Sequence, residues 1–191
     1  MRDGQIDLFD AIYTMRAIRH FRKDPIPDKV LRAILEAACQ APSGGNRQPW
    51  TFLIIKKRES RKRLHDLLLE GMAEEKEKAT RFGLKAGKST FSRLLDKQPL
   101  TNIPVIVIVL SSDREDGVLN NEGPDNAIQN LLLAARAYGL GGVITFVHEH
   151  NEHGIRSEFQ IPDGKDIVAF IPLGYPDEDR GSRHGTKTRK P

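Results

Sequence analysis

Residues Ala41-Pro42-Ser43-Gly44-Gly45-Asn46-Arg47-Gln48-Pro49-Trp50 set the tightest limit on how this chain can fold. They stand between a helix-patterned segment and an apolar run, Phe52-Leu53-Ile54-Ile55, that reads as a strand. Two prolines fix φ and stiffen the connection, while Gly44 and Gly45 let backbone N–H groups come close to a ligand. Asn46 and Gln48 each carry a donor and an acceptor, which reading the polar edge of a heterocycle requires. The same residues also suit a helix C-cap followed by a rigid turn.

Around this loop the periodicities predict a chain of alternating helices and strands. Asp7 is placed to cap a helix running to about Arg16, with Leu8, Ile12 and Met15 at helical spacing on one face. Arg16 and Arg19 are three apart and project from one side if helical geometry persists, where two guanidiniums could grip a phosphate or neutralise an electron-rich ring. Two solvated arginines would need no such partner. Val30, Leu31, Ile34, Leu35 and Ala38 trace an amphipathic helix into the loop. Lys56 to about Lys78 predicts a charged helix with a narrow Leu64-Leu67-Leu68-Met72 stripe, and residues 82–100 a mobile helix-loop that covers something. Pro104 to Leu110 reads as a strand buried on both faces, and Ser111 to Gly123 as a polar connection. Asn126 to Tyr138 is the next helix, closed by Gly139 as a left-handed cap. Leu140, Gly141 and Gly142 follow, the two glycines exceeding what capping needs and able to present N–H groups to a planar ligand. A strand over Val143–Val147, a short helix to about Phe159 and a last strand, Ile167 to Gly174, complete the pattern.

The expected architecture is α+β, a single domain over residues 1–191 with helices on both faces of one central sheet. Cys39, the only cysteine, excludes a disulfide framework and is expected as a small buried filler. His148, His150 and His153 read as an exposed turn, since no acid or cysteine completes a tetrahedral metal set. The longest apolar run is strand-sized, so no membrane span is expected, and the polar, acidic opening residues point to a cytoplasmic protein. No Gly-x-Gly-x-x-Gly follows a strand, and no Walker lysine, nucleophile elbow or His-Glu-x-x-His is present. If the chain is an enzyme, a bound cofactor carries its chemistry. Past Asp179 there are only basic charges, including Lys187 and Arg189: a solvated tail, a nucleic-acid arm or a phosphate clamp.

Taken together, Arg16-Ala17-Ile18-Arg19-His20-Phe21, the Ala-Pro-Ser…Asn-x-Gln-Pro-Trp loop, the Gly-Leu-Gly-Gly joint and Ile171-Pro172-Leu173-Gly174-Tyr175-Pro176 resemble the nitroreductase family, in order and spacing, from about Phe9 to Pro191. The resemblance implies a central mixed sheet flanked by helices, and a homodimer with one FMN in each of two interface clefts. It implies Arg16 on the FMN phosphate, the Ala17 backbone against the cofactor, and Arg19 at the N1–O2 side of the flavin ring. Pro42, Ser43, Gly44 and Asn46 would reach the flavin from the partner subunit. Leu140, Gly141 and Gly142 would run behind the ring, and Lys187 and Arg189 would add charge at the phosphate. The chain departs from the family in Ala17, where a serine hydroxyl is frequent, and in Gly44-Gly45, where a second small polar residue is. It also stops directly after the basic motif, where many relatives continue into an arm around the partner.

The activity so implied is ping-pong hydride transfer from NADH or NADPH, through flavin N5, to a small-molecule oxidant such as a nitroaromatic, quinone or activated enone. No side chain acts as nucleophile; Arg19 is the charge stabiliser. Two other classes stay open: an FMN carrier without NAD(P)H turnover, and a nucleic-acid-binding module. Aromatics at only 6% and acids interleaved through Lys56–Lys78 leave the last without a basic stripe or stacking platforms.

Overall fold

The computed structural model describes residues 6–82, 95, 98–112, 114–115, 118–119, 122–181 and 183–185. Its helices are α1 (Leu8–Thr14), α2 (Asp28–Ala38), α3 (Arg58–Arg81), α4 (Glu122–Ala137) and α5 (Glu152–Glu158). Its strands are β1 (Trp50–Ile55), β2 (Val105–Ser111), β3 (Arg114–Glu115), β4 (Val118–Leu119), β5 (Gly141–Gly142) and β6 (Asp166–Gly174). The main sheet has the order β1-β2-β6-β5. Each pairing in it is antiparallel, so among the described residues the sheet is not the mixed one expected, although the α+β class is as read.

Strand β2 is buried at every position, and its side chains feed two separate cores. Ile106, Ile108 and Leu110 pack with Leu64, Leu67 and Leu68 of α3. Val105, Val107 and Val109 pack with Ile34 of α2 and Ile128 and Leu131 of α4. The two-residue alternation of a strand thus supplies both layers. In α2, Leu31, Ile34 and Ala38 are buried at helical spacing as expected. Cys39 follows them but is exposed, because one further residue turns the chain about 100° off the buried stripe.

Other expectations are corrected. In α1 only Ala11 is buried; Leu8, Phe9, Ile12 and Tyr13 are all exposed, the last by 66%. The apolar stripe is present, but it faces away from this chain's own core. The run Val143–Val147 is not a strand: the ladder stops at Gly142, Thr145 alone bridges to Phe170, and the Thr145 hydroxyl accepts from Val147 N to start a 3-10 turn. The alternation survives, with Val143, Thr145 and Val147 buried and Ile144 and Phe146 41% and 55% exposed. His148 is buried rather than exposed, its ring 5.5 Å from that of Phe170, and His150 Nδ1 is hydrogen-bonded to the Glu75 carboxylate at 2.7 Å. Residues 114–115 and 118–119 form a short ladder inside the expected polar connection. Of the expected covering segment 82–100, residues 83–94, 96 and 97 lie outside the described residues; Leu95, Gln98 and Leu100 are buried.

Helix α3 is seated against the 3-10 turn Val147–His150 with no clearance. A Cβ on Gly71 would lie 2.1 Å from the His150 carbonyl oxygen, and the Asn151 amide donates to Leu67 O at 2.9 Å alongside. Gly71→Ala gains about 1 kcal/mol of helix propensity but must displace backbone, at about 1–3 kcal/mol or more. The expected outcome is net destabilisation, read as a lowered urea midpoint at unchanged slope.

Candidate functional site

Helix α1 stops at Thr14 because Met15 turns to φ −58°, ψ 133°. The chain is then extended, so the helical geometry that would have set Arg16 and Arg19 on one side does not persist. Ile18 and Phe21 are buried, Ala17 is exposed, and Arg16 and Arg19 are half-buried. Arg16 Nη1 donates to the carbonyls of Tyr13 and Met15, capping the helix end. Its Nε is buried with no partner among the described residues.

Ile18 explains the glycine joint. Its N–H donates to Gly142 O at 3.0 Å, and a Cβ on Gly141 would lie 2.3 Å from Ile18 Cγ1. A Cβ on Gly142 would lie 2.8 Å from Pro172 O. Gly141 is therefore required to seat the arginine-bearing segment against the sheet edge, and Gly142 to lie close against β6, whatever else they present. Burying Ile18 there contributes about 1.5–3 kcal/mol. Gly139, at φ +73°, caps α4 as expected. It donates to Arg136 O and Leu140 N donates to Ala135 O, the paired bonds of a Schellman motif. Leu140, expected beside a ligand, is fully buried and has its N–H committed to this cap.

The C-terminal segment converges on the same place. Gly185 N donates to Thr14 O at 3.0 Å, and Arg136 Nε donates to Thr14 Oγ1 at 2.9 Å. His184 Nε2 lies 3.0 Å from Leu140 O, and a Cβ on Gly141 would lie 3.1 Å from its Cε1. A carbonyl only accepts, so Nε2 carries the hydrogen and Nδ1 keeps a bare lone pair. That Nδ1 is buried and unpartnered. Burial first, then the Arg136 and Arg16 charges, lowers the His184 pKa to about 4, against the raising effect of the Leu140 carbonyl. Arg136 and His184 were not singled out in the sequence. The only signals were an arginine in a helix's last turn and a histidine ahead of a basic tail. Lys187 and Arg189 themselves lie outside the described residues.

The opening loop is held elsewhere. Gly44–Asn46 forms a 3-10 turn, and Gly45, Asn46 and Gln48 all take positive φ, near +50°. Ser43 Oγ accepts from Gln48 N at 2.9 Å, and the Gln48 amide donates to Asn46 Oδ1 at 3.2 Å. One bond of each side-chain amide is thus spent within the loop. Asn126 donates to Pro42 O at 3.3 Å, tying the loop to the start of α4. Pro42, Gly44 and Asn46 are exposed and Ser43 is half-buried. Arg136, beside Arg16, is ten residues further along the same helix, about 15 Å at 1.5 Å per residue. Within one chain the two predicted groups of site residues are anchored toward opposite ends of α4.

Because His184 is neutral in the folded chain and has a normal pKa of 6.5 when unfolded, only the unfolded state gains its proton between pH 6.5 and 4. Stability is therefore independent of this group above pH 6.5 and falls as pH drops toward 4. Urea titrations across that window should show a shallower decline for His184→Gln than for the wild type, by at most about 1.4 kcal/mol per pH unit.

The profile of the nitroreductase family matches residues 12–175. A protein of Methanothermobacter thermautotrophicus, provisionally named NADH dehydrogenase/NAD(P)H nitroreductase, is 31% identical, over 95% of this chain and 85% of its own. The 5,6-dimethylbenzimidazole synthase of Rhodospirillum rubrum is 28% identical, over 100% of this chain and 92% of the synthase. Among solved structures, an oxidised iodotyrosine deiodinase bound to FMN and 3-iodo-L-tyrosine has the same fold, with a TM-score of 0.73 at 23% identity over 97% of this chain and 96% of the other. No helix among the described residues is long and apolar enough to cross a membrane. With the family profile spanning most of its length, and an α+β fold to match, the chain belongs to the nitroreductase family.

Proposed function

We propose that this protein is a cytoplasmic, FMN-dependent oxidoreductase that works as a homodimer. The observation that carries the reading is Arg16: a guanidinium whose Nε is buried and, among the described residues, unpartnered, two residues from the Ile18 that packs into the space left at Gly141. An unpaired buried donor on a cation costs about 1–3 kcal/mol, a cost that an anionic or hydroxylated ligand would remove. The exposed Ile144 and Phe146, just beyond the glycines, add apolar surface of the kind a planar ring needs. The relatives named for NAD(P)H nitroreductase and for an FMN-bound deiodinase support the same cofactor.

FMN, when bound, would supply hydride chemistry between NADH or NADPH and a nitroaromatic, quinone or activated enone. The chain's own residues bind and balance charge. Arg16 holds the phosphate, with Lys187 and Arg189 adding charge. The exposed Ala17 leaves its backbone open to the cofactor. Arg19 faces the N1–O2 edge, where a guanidinium offsets the negative charge that two-electron reduction leaves. Gly141 and Gly142 line the cleft through their backbone. Pro42, Ser43, Gly44 and Asn46 of the partner subunit close the cleft, which accounts for their anchorage away from Arg16 in a single chain.

The dimer rests on α1. Its Leu8, Phe9, Ile12 and Tyr13 are exposed, and Leu8 lines an apolar groove of about 450 Å³ together with Ala33, Ala37 and Tyr138. A contiguous apolar face of this kind marks an association surface. Tyr13→Glu should convert the dimer to monomer in sedimentation velocity and weaken FMN binding in parallel; a variant still dimeric would remove α1 from the interface.

An anaerobic visible spectrum with FMN, before and after NADH or NADPH, tests the activity. A bound-flavin band that bleaches, and recovers on adding a nitroaromatic or quinone, is the expected result. A band that persists would leave a flavin carrier. Recovery with 3-iodo-L-tyrosine but not with those oxidants would move the substrate class toward that of the deiodinase relative.

A further inference from the structure

His184 has a hydrogen-bonding sense opposite to everything around it. Its neighbours in the cleft, Arg16 and Arg136, are cations that only donate. Its own Nε2–H is committed to Leu140 O, and the ring is pinned by that bond and by its seat against Gly141. What remains is Nδ1, a buried acceptor with no partner among the described residues. Arg16 Nε, whose charge reaches His184, is a buried donor with no partner.

A ligand satisfying both must donate at one point and accept at another. A phosphate dianion is an acceptor only, so it suits Arg16 and is repelled by the Nδ1 lone pair. An oxidised isoalloxazine ring offers one N–H donor, at N3 of its pyrimidine edge, with the whole ribityl chain between it and the phosphate assigned to Arg16. A hydroxyl does both, donating its hydrogen to nitrogen while its oxygen accepts from a guanidinium. Resting on the FMN reading above, we infer that His184 is a binding residue for the sugar-alcohol chain of the cofactor, accepting a hydrogen bond from a ribityl hydroxyl at Nδ1. The assignment gives the site a polarity along the ligand: cations at the phosphate end, then one neutral acceptor for the polyol. It also explains why a histidine is held uncharged among arginines, since an imidazolium would turn this acceptor into a third donor.

Two substitutions separate this role from packing. His184→Gln keeps an N–H to reach Leu140 O and loses the acceptor at the Nδ1 position. His184→Asn places an amide oxygen near Nδ1 and gives up the Leu140 bond. Dissociation constants are read by flavin fluorescence for FMN and for lumiflavin, which has the ring and no ribityl chain. One neutral hydrogen bond is worth about 0.5–1.5 kcal/mol, hence His184→Gln should weaken FMN about three- to tenfold. It should leave lumiflavin unchanged, and His184→Asn should hold FMN within about twofold of the wild type. An equal loss for both flavins in His184→Gln, or no loss for FMN, overturns the inference and leaves the lone pair to a bound water. Failure of the wild type to bind FMN would instead overturn the functional reading itself.

Discussion

The structure depends on a single strand being apolar on both of its faces. β2 supplies Ile106, Ile108 and Leu110 to one layer and Val105, Val107 and Val109 to the other, so neither helical layer has a core without it. At about 1.5–3 kcal/mol for each fully buried aliphatic side chain, these six residues outweigh any surface ion pair in the molecule. β6 lies beside β2 and carries β5 on its far edge, which is how the glycine joint comes to stand at the rim of the sheet. The site is built on that rim, and the rim is only as firm as the strand two places inward.

From there the site is assembled by close approach rather than by a loop closing over it. Ile18 fills the space that Gly141 leaves, and its N–H binds Gly142 O. That one seat fixes the stretch from Arg16 to Arg19. The Schellman end of α4 then aims Leu140 O at His184, and Arg136 reaches Thr14 from the same last turn. Three segments far apart in sequence meet through bonds made mostly by backbone, so the charged groups are positioned by parts that carry no charge.

Much of this was legible in the sequence, and the misses have physical causes. β2 could be read because a run of six apolar residues too short for a membrane has few other places to go. The α4 cap was legible because Gly139 needs φ > 0, and the sequence states that need directly. The stripe on α1 was legible but its outward direction was not, because periodicity reveals that a stripe exists, not which surface covers it. Cys39 was misplaced by a single residue's rotation at the helix end. The glycine joint was recognised, but its first cause is Ile18, a side chain more than 120 positions earlier whose approach no local pattern encodes. His184 was invisible for the same reason, since what makes it unusual lies at Arg16, Arg136 and Leu140. His148 looked solvated among polar neighbours and is buried by Phe170, again a long-range partner.

The bond from Gly185 N to Thr14 O ties together two points separated by nearly the whole chain. Closing so long a loop gives no return until the intervening sheet and helices have formed, so in folding it is among the last contacts made. A late contact contributes to unfolding barriers more than to folding speed, and local fluctuations open it early. The cradle around Arg16 and His184 is consequently a reporter of completed folding: a chain that has not joined its ends has the sheet, the helices and both cores, and has no site.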